Sequence, residues 1–226
     1  MIYDIHTTNL SFLRVSQQLK RHGVKNNKFM LTLYDESLVG VDPRSPDLTT
    51  EQKMRIYKEI CLNKWYYLRE VVRLPVTGTD GIPYELNLGN CAQSYAYWKN
   101  LNFITILPRQ QGKTIGVVTD DTWTILFGSK NCQIIYLNKQ YPDAVENGRR
   151  FKNIRALLPK WLLEIISDKN DKDNQDEKYM AKLRNQILIK PSANSDEQAD
   201  KLGRGLTASC IHYDEFASLD FMYFLK

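Results

Sequence analysis

Two clusters of residues have the types and spacing for phosphate chemistry. The first is Leu107-Pro108-Arg109-Gln110-Gln111-Gly112-Lys113-Thr114. Its last three residues match the end of the pattern G-x-x-x-x-G-K-[ST], and Leu107 stands where the first glycine would. Gly112 lets main chain approach a phosphate, and the amides there, with the helix N-terminus that follows, supply oriented positive charge. Lys113 then reaches the β- and γ-phosphates, and the Thr114 hydroxyl is a Mg²⁺ ligand. A Gly-Lys-Thr triplet alone occurs often by chance. Its context strengthens it: Phe103-Ile104-Thr105-Ile106-Leu107 reads as a buried strand before the loop, and Ile115–Phe127 suits a helix after it. Arg109 places a cation at the crest of the loop, beside phosphates or the Mg²⁺ shell.

The second cluster is Ser209-Cys210-Ile211-His212-Tyr213-Asp214-Glu215, an apolar strand ending in adjacent carboxylates. In this arrangement Asp214 holds the Mg²⁺ shell and Glu215 orients and polarises the attacking water. Paired acids at a strand end are usually solvated surface; their distance from the phosphate loop is what gives them meaning.

The elements that must position these clusters can be read from periodicity. Asn9 and Gly23 bracket a helix over Leu10–His22. Val41–Asp47 is a turn-rich connector. Thr49 and Gln52 have capping-box spacing. Met54, Tyr57, Ile60, Cys61, Trp65, Leu68 and Val72 then make one apolar stripe, so a single helix is expected out to about Arg73. Pro75, Gly78, Gly81 and Pro83 mark a loop. Beyond it strands and helices alternate: strand Gln133–Leu137, helix Asp143–Leu158, a charged loop or hairpin over 168–182, and strands Ile187–Ile189 and Ser209–Tyr213. That alternation predicts an α/β fold with a mostly parallel sheet flanked by helices. Domain organisation follows: a helical N-terminal arm and lid-like extension over 1–85, and a nucleotide-binding domain over 86–226.

Bulk properties exclude several classes. The 226 residues are 42% hydrophobic and 25% charged, an ordinary globular composition, and no apolar run approaches a membrane span. Met1–His6 lacks the basic-then-apolar order of a secretory signal. Cys61, Cys91, Cys132 and Cys210 are scattered, which suits reduced thiols rather than a zinc site or disulfides. His6, His22 and His212 show no ligand spacing. The net charge of +5 is compatible with a polyanionic partner without arguing for one. Arg149, Arg150, Lys152 and Arg155 suit a solvated helix face better than a DNA contact.

With their neighbours, these clusters resemble the ATPase domain of large terminase subunits, the DNA-packaging motors of tailed bacteriophages. That family often lacks the first loop glycine and carries an arginine in the loop. It has an adenine-reading glutamine about twenty residues upstream, a position Gln93 fits in Leu88-Gly89-Asn90-Cys91-Ala92-Gln93. It also has an arginine–glycine pair before the acidic strand end, which Arg204-Gly205 fits. Asn27–Pro75, notably Val41-Asp42-Pro43 and Trp65-Tyr66-Tyr67-Leu68-Arg69-Glu70-Val71, resembles the N-terminal region of terminases from large-genome phages. The resemblance implies a P-loop NTPase fold of the ASCE type, with ATP and Mg²⁺ as cofactors. Pro108–Thr114 and Gln93 then bind the nucleotide, and Thr114 and Asp214 bind the metal. Glu215, Lys113, Arg109 and Arg204 are catalytic. Implied partners are double-stranded DNA, a portal protein, a small terminase subunit and further copies in a ring, with no membrane. The implied place is the cytoplasm of an infected bacterial host, transiently on the procapsid.

The sequence departs from that family after Glu215, where a coupling strand and a nuclease domain are expected. The resemblance therefore implies an ATPase domain truncated after its acidic strand, a sheet lacking a central member, and exposed apolar edges. Two other readings stand beside it. Asp214-Glu215-Phe216-Ala217 is close to the acidic motif of DEAD-box helicases, and an assembly protein could keep ATP binding without turnover. If Arg204 is an arginine finger acting across a ring interface, mixing Arg204→Ala subunits with Glu215→Gln subunits restores part of the ATPase activity that each lacks alone. Mixing Arg109→Ala with Glu215→Gln restores none. A silent Arg204 mixture in intact rings removes the in-trans role.

Overall fold

The computed structural model describes residues 1–108, 110–138, 140–191 and 207–214. Arg109, Arg204 and Glu215 lie outside these described residues. The chain divides into two compact units: residues 1–128 with 153–166, and residues 129–152 with those after 166.

In the first unit, β1 (Ile2–Tyr3) precedes α1 (Leu10–Arg21), and β2 (Thr32–Leu33) pairs antiparallel with β1. Helix α1 ends as its sequence predicts. Gly23 takes φ +78°, and the N–H groups of Gly23 and Val24 donate to the carbonyls of Lys20 and Leu19, both at 3.0 Å. Its start differs from expectation. Asn9 holds the N-cap position, yet its side chain caps nothing. The Nδ2 instead donates to the carbonyls of Arg69 (3.0 Å) and Tyr84 (2.9 Å), stitching the arm to the following segment.

Helix α2 (Thr50–Leu62) opens with the capping box at Thr49 and Gln52. The expected run to Arg73 breaks at Asn63, whose φ of −133° leaves the helical region. Its Oδ1 caps α3 (Lys64–Tyr66) by accepting from the Tyr66 N–H at 3.1 Å, and its Nδ2 donates to Glu59 Oε1 at 2.6 Å and the Thr32 carbonyl at 2.8 Å. A wide π-type turn over Tyr67–Val71 follows, then β3 (Arg73–Leu74), antiparallel to β4 (Ile82–Pro83). The break has a packing reason. Trp65, Tyr66, Tyr67 and Leu68 are all buried in succession, whereas one straight surface helix buries only a stripe. The predicted stripe shifts with it: Ile56 is buried and Met54 is 56% exposed.

Helix α4 (Leu88–Trp98) packs against α5 (Lys113–Trp123), which runs on into a π-type turn over Thr124–Gly128. An ion pair buried among these elements fixes their register. Lys64 Nζ lies 2.9 Å from Asp120 Oδ1 and donates to the Ser94 carbonyl at 2.6 Å. The Ser94 hydroxyl donates to Asp120 Oδ2 at 2.5 Å. Both charged side chains are at most 1% exposed. Burial pushes the Lys64 ammonium below and the Asp120 carboxyl above their ordinary values, against their mutual attraction.

The second unit carries a five-stranded sheet. β5 (Gln133–Asn138) is followed by α6 (Tyr141–Ala156), by α7 (Lys160–Ile166), which belongs to the first unit, and by β6 (Lys172–Asp173), β7 (Glu177–Met180), β8 (Asn185–Pro191) and β9 (Cys210–Tyr213). The strand order is β6-β7-β8-β5-β9. β5 runs parallel to β8 and to β9, with Ile135 opposite both Leu188 and Ile211. It is buried almost continuously, as a strand flanked on both sides should be. The charged segment over 168–182 forms the β6–β7 hairpin and adds to β8 antiparallel. The fold is therefore α/β, but the sheet is mixed rather than mostly parallel. Helix α6 packs on it through Gly148, where a Cβ would fall 2.3 Å from Ile189 Cδ1.

A second correction concerns Phe103–Leu107, which forms no strand. Ile104 is 72% and Ile106 90% exposed. β-Branched residues favour a pleated backbone only where a ladder partner satisfies its amides. The described strands of the sheet all come from the second unit, and this run has no pairing among the described residues.

Removing one member of a buried ion pair strands the other. Lys64→Met is expected to destabilise the fold by about 3–5 kcal/mol in urea denaturation, and Lys64→Met with Asp120→Leu by clearly less. Additive losses in the double variant would show that the pair is not coupled.

Candidate functional site

The phosphate-loop candidate is built around one left-handed residue. Gly112 takes φ +69°, ψ 20° and is the N-cap of α5; Lys113 is the first residue of the helix. A left-handed residue followed by a right-handed one turns successive N–H groups into a concave anion nest, here continuous with a helix N-terminus. Gln110 also takes positive φ, +61°, which costs a side-chain-bearing residue energy and marks a shaped loop. Lys113 Nζ folds back to within 3.5 Å of the Leu107 carbonyl. Thr114 is the second residue of α5 and half-buried; Pro108 and Gln111 are exposed.

Beside the loop lies a cavity of about 240 Å³ lined by Tyr84, Asn87, Asn90, Gln110, Gly112 and Ile115, among others. Sequence reading missed Asn87 and Asn90. Asn87 Oδ1 caps α4 by accepting from the Asn90 N–H at 2.8 Å, while its Nδ2 donates to the Gln111 carbonyl at 3.2 Å. Asn90 Nδ2 donates to the Gly112 carbonyl at 3.4 Å. The signal was present: Asn87, Asn90 and Gln93 are spaced by three, on one face of α4.

Gln93 lies one turn further along that face, 6% exposed. A Cβ on Gly116 would fall 3.1 Å from its Oε1, so this glycine is what admits the glutamine beside α5. The Oε1 of Gln93 and the Oδ1 of Asn90 are both buried without a hydrogen-bond partner. Cys91, between them in sequence, is pushed up to about 12 by burial and stays a thiol. All four cysteines are unbridged.

The second cluster belongs to the second unit. Asp214 follows β9, and its N–H donates to the Leu137 carbonyl at 3.1 Å, extending the parallel ladder. Its Oδ2 accepts from Asn147 Nδ2 at 3.3 Å, and Asn147 Oδ1 accepts from Arg150 at 2.6 Å. Asn147, on α6 and 2% exposed, is another residue that the sequence reading did not single out. His212 packs edge-on to Tyr136, ring centroids 5.5 Å apart. The basic run on α6 is met by acids: Arg149 pairs with Glu146 at 2.7 Å and Lys152 with Asp173 at 2.9 Å.

The donors suit a hard cation. The Thr114 hydroxyl in the first unit and the Asp214 carboxylate in the second are each oxygen donors of the kind that Mg²⁺ takes alongside substrate phosphates and water. The described residues include no group of three His, Cys, Asp or Glu side chains placed to hold a metal. Among the same residues no helix is long and apolar enough to cross a membrane. No protein-family model matches the chain, and no curated protein is detectably similar to it.

Gly112 tests the loop geometry. Alanine there would carry a Cβ at positive φ, 3.3 Å from Ile115 Cγ2. Gly112→Ala is expected to lower stability by about 1–2 kcal/mol in urea denaturation. An unchanged midpoint would remove the left-handed assignment.

Proposed function

We propose that this chain is the ATP-hydrolysing motor domain of a terminase large subunit, with a P-loop NTPase fold of the ASCE type. In this reading it powers movement of double-stranded DNA into a procapsid within an infected bacterium. The observation that carries the reading is the nest at Gly112–Lys113, opening an eleven-residue helix beside a cavity whose lining includes Asn87, Asn90 and Gln110. The nest and the helix N-terminus take the phosphates. Lys113, released from the Leu107 carbonyl, reaches the β- and γ-oxygens, and Thr114 and Asp214 are the residues that would hold Mg²⁺, which would supply positive charge to the transferred phosphoryl group. Glu215 directs water at the γ-phosphate, Gln93 reads the adenine, Arg109 acts at its own nucleotide and Arg204 at a neighbour's. A ring of copies, a portal protein and a small subunit complete the machine.

A second reading, nucleotide binding for assembly without turnover, draws on Phe103–Leu107. Among the described residues, the segment leading into the loop has no strand pairing to hold it rigid during a catalytic cycle. A DEAD-box helicase reading draws on Asp214-Glu215-Phe216-Ala217 and on an upstream glutamine, which Gln93 would supply.

Binding and turnover separate the readings. Titration with a labelled ATP analogue is expected to give Mg²⁺-dependent binding that Lys113→Ala weakens. Equal affinity in the two proteins removes the phosphate-loop assignment. In a form extended past Lys226, Glu215→Gln is expected to keep binding and lower hydrolysis by orders of magnitude. Binding without hydrolysis in the parent of that form favours the assembly reading.

A further inference from the structure

We infer that Asn87 and Asn90 are positioning residues that aim the phosphate loop's amides, an inference that rests on the phosphate-binding reading above. The first turn of α4 meets the loop at both ends. At the near end, Gly89 stands against Leu107, whose two Cδ atoms would lie 3.1 Å from any Cβ there. At the far end, Asn87 holds the Gln111 carbonyl and Asn90 the Gly112 carbonyl. The Gly112 carbonyl also accepts the Gly116 N–H at 2.8 Å, the first bond of α5.

Peptide geometry gives these bonds a directional effect. The chain has no cis peptide bond among its described residues. In a planar trans peptide the C=O and the following N–H point in opposite directions. A Gln111 carbonyl turned toward Asn87 therefore turns the Gly112 N–H away from α4. A Gly112 carbonyl turned toward Asn90 does the same for the Lys113 N–H. These are the first two amides of the nest. Asn87 holds the first peptide plane, Asn90 holds the second together with the first bond of α5, and each plane aims one donor. The loop needs such fixing, because Gln110 at φ +61° sits in a conformation that a side-chain-bearing residue leaves when released.

Asn87 has two tasks that one substitution separates. Its Oδ1 caps α4 and its Nδ2 holds the loop. Serine is an equally good cap but is too short to reach the Gln111 carbonyl. Asn87→Ser thus releases the loop while keeping the helix, and adds no charge near the phosphates. Asn90→Ala releases the second peptide at a position where alanine favours helix.

The experiment is Mg²⁺-dependent binding of ATP and of inorganic tripolyphosphate to the full chain by calorimetry, with Lys113→Ala as reference. Asn87→Ser and Asn90→Ala are each expected to weaken both ligands by the same factor, roughly tenfold for a lost charge-assisted contact. Their thermal midpoints should stay near that of the parent. Unchanged affinities in the asparagine variants, with Lys113→Ala weakened, overturn the inference and leave the phosphate-binding reading standing. Loss for ATP but not for tripolyphosphate overturns it too, and makes the asparagines contacts to the base. A fall in thermal midpoint that accounts for the loss shows a merely structural role. If Lys113→Ala binds both ligands as the parent does, the phosphate-binding reading itself fails, and the inference with it.

Discussion

Lys64 and Asp120 are an ionisable pair at 2.9 Å, each at most 1% exposed, and this constraint organises the first unit. A buried charge is tolerable only when its partner and hydrogen bonds are in place. Lys64 meets Asp120 and the Ser94 carbonyl; Asp120 meets Lys64 and the Ser94 hydroxyl. The segment after the Asn63 break, helix α4 and helix α5 thus have one mutual register. Asp120 lies seven residues past Lys113, two turns along α5. Fixing it beside Ser94 sets which residues of α4 reach the loop. Asn90, one turn earlier than Ser94, then falls opposite Gly112, and Gln93 falls opposite Gly116. Tyr97 completes the ladder by donating to Asp121 at 2.7 Å.

How much of this was legible depends on the range of the forces involved. The capping box at Thr49 and the glycine stop at Gly23 are settled within a few residues, and both are found as read. Strand β5 was legible because a buried strand reads as a continuous apolar run, whereas β8 alternates buried and half-buried residues and β9 is at most half-buried, so both were legible only from short apolar stretches. The failures all involve distant partners. Asn9 has the type for a cap, but Arg69 and Tyr84 claim its side chain. The stripe from Met54 to Val72 has helical period, but four consecutive aromatic and aliphatic side chains from Trp65 on turn inward, which only a break allows. Phe103–Leu107 has the composition of a strand and finds no ladder among the described residues.

The candidate site was legible in its reactive groups and not in its supports. Lys113, Thr114 and Asp214 carry chemistry in their side-chain types, and a short pattern suffices to single them out. Asn87, Asn90 and Asn147 act by hydrogen bonds to main chain or to another side chain, and asparagine is common enough to pass unnoticed. Their spacing on α4 and α6 acquires meaning only beside the loop carbonyls and the Asp214 carboxylate.

The exposed Phe103–Leu107 segment also bears on how the protein behaves in concentrated solution. Five consecutive uncharged residues, mostly β-branched or aromatic, stand with their main chain outside any ladder formed by the described residues. Such a window is a template for intermolecular strand addition, and no proline or charged residue interrupts it. Crowded copies would meet first through Ile104 and Ile106. The colloidal fate of the chain, whether it stays dispersed or clumps, thus turns on the segment that leads into the Gly112 loop, where an inserted lysine would act as a gatekeeper.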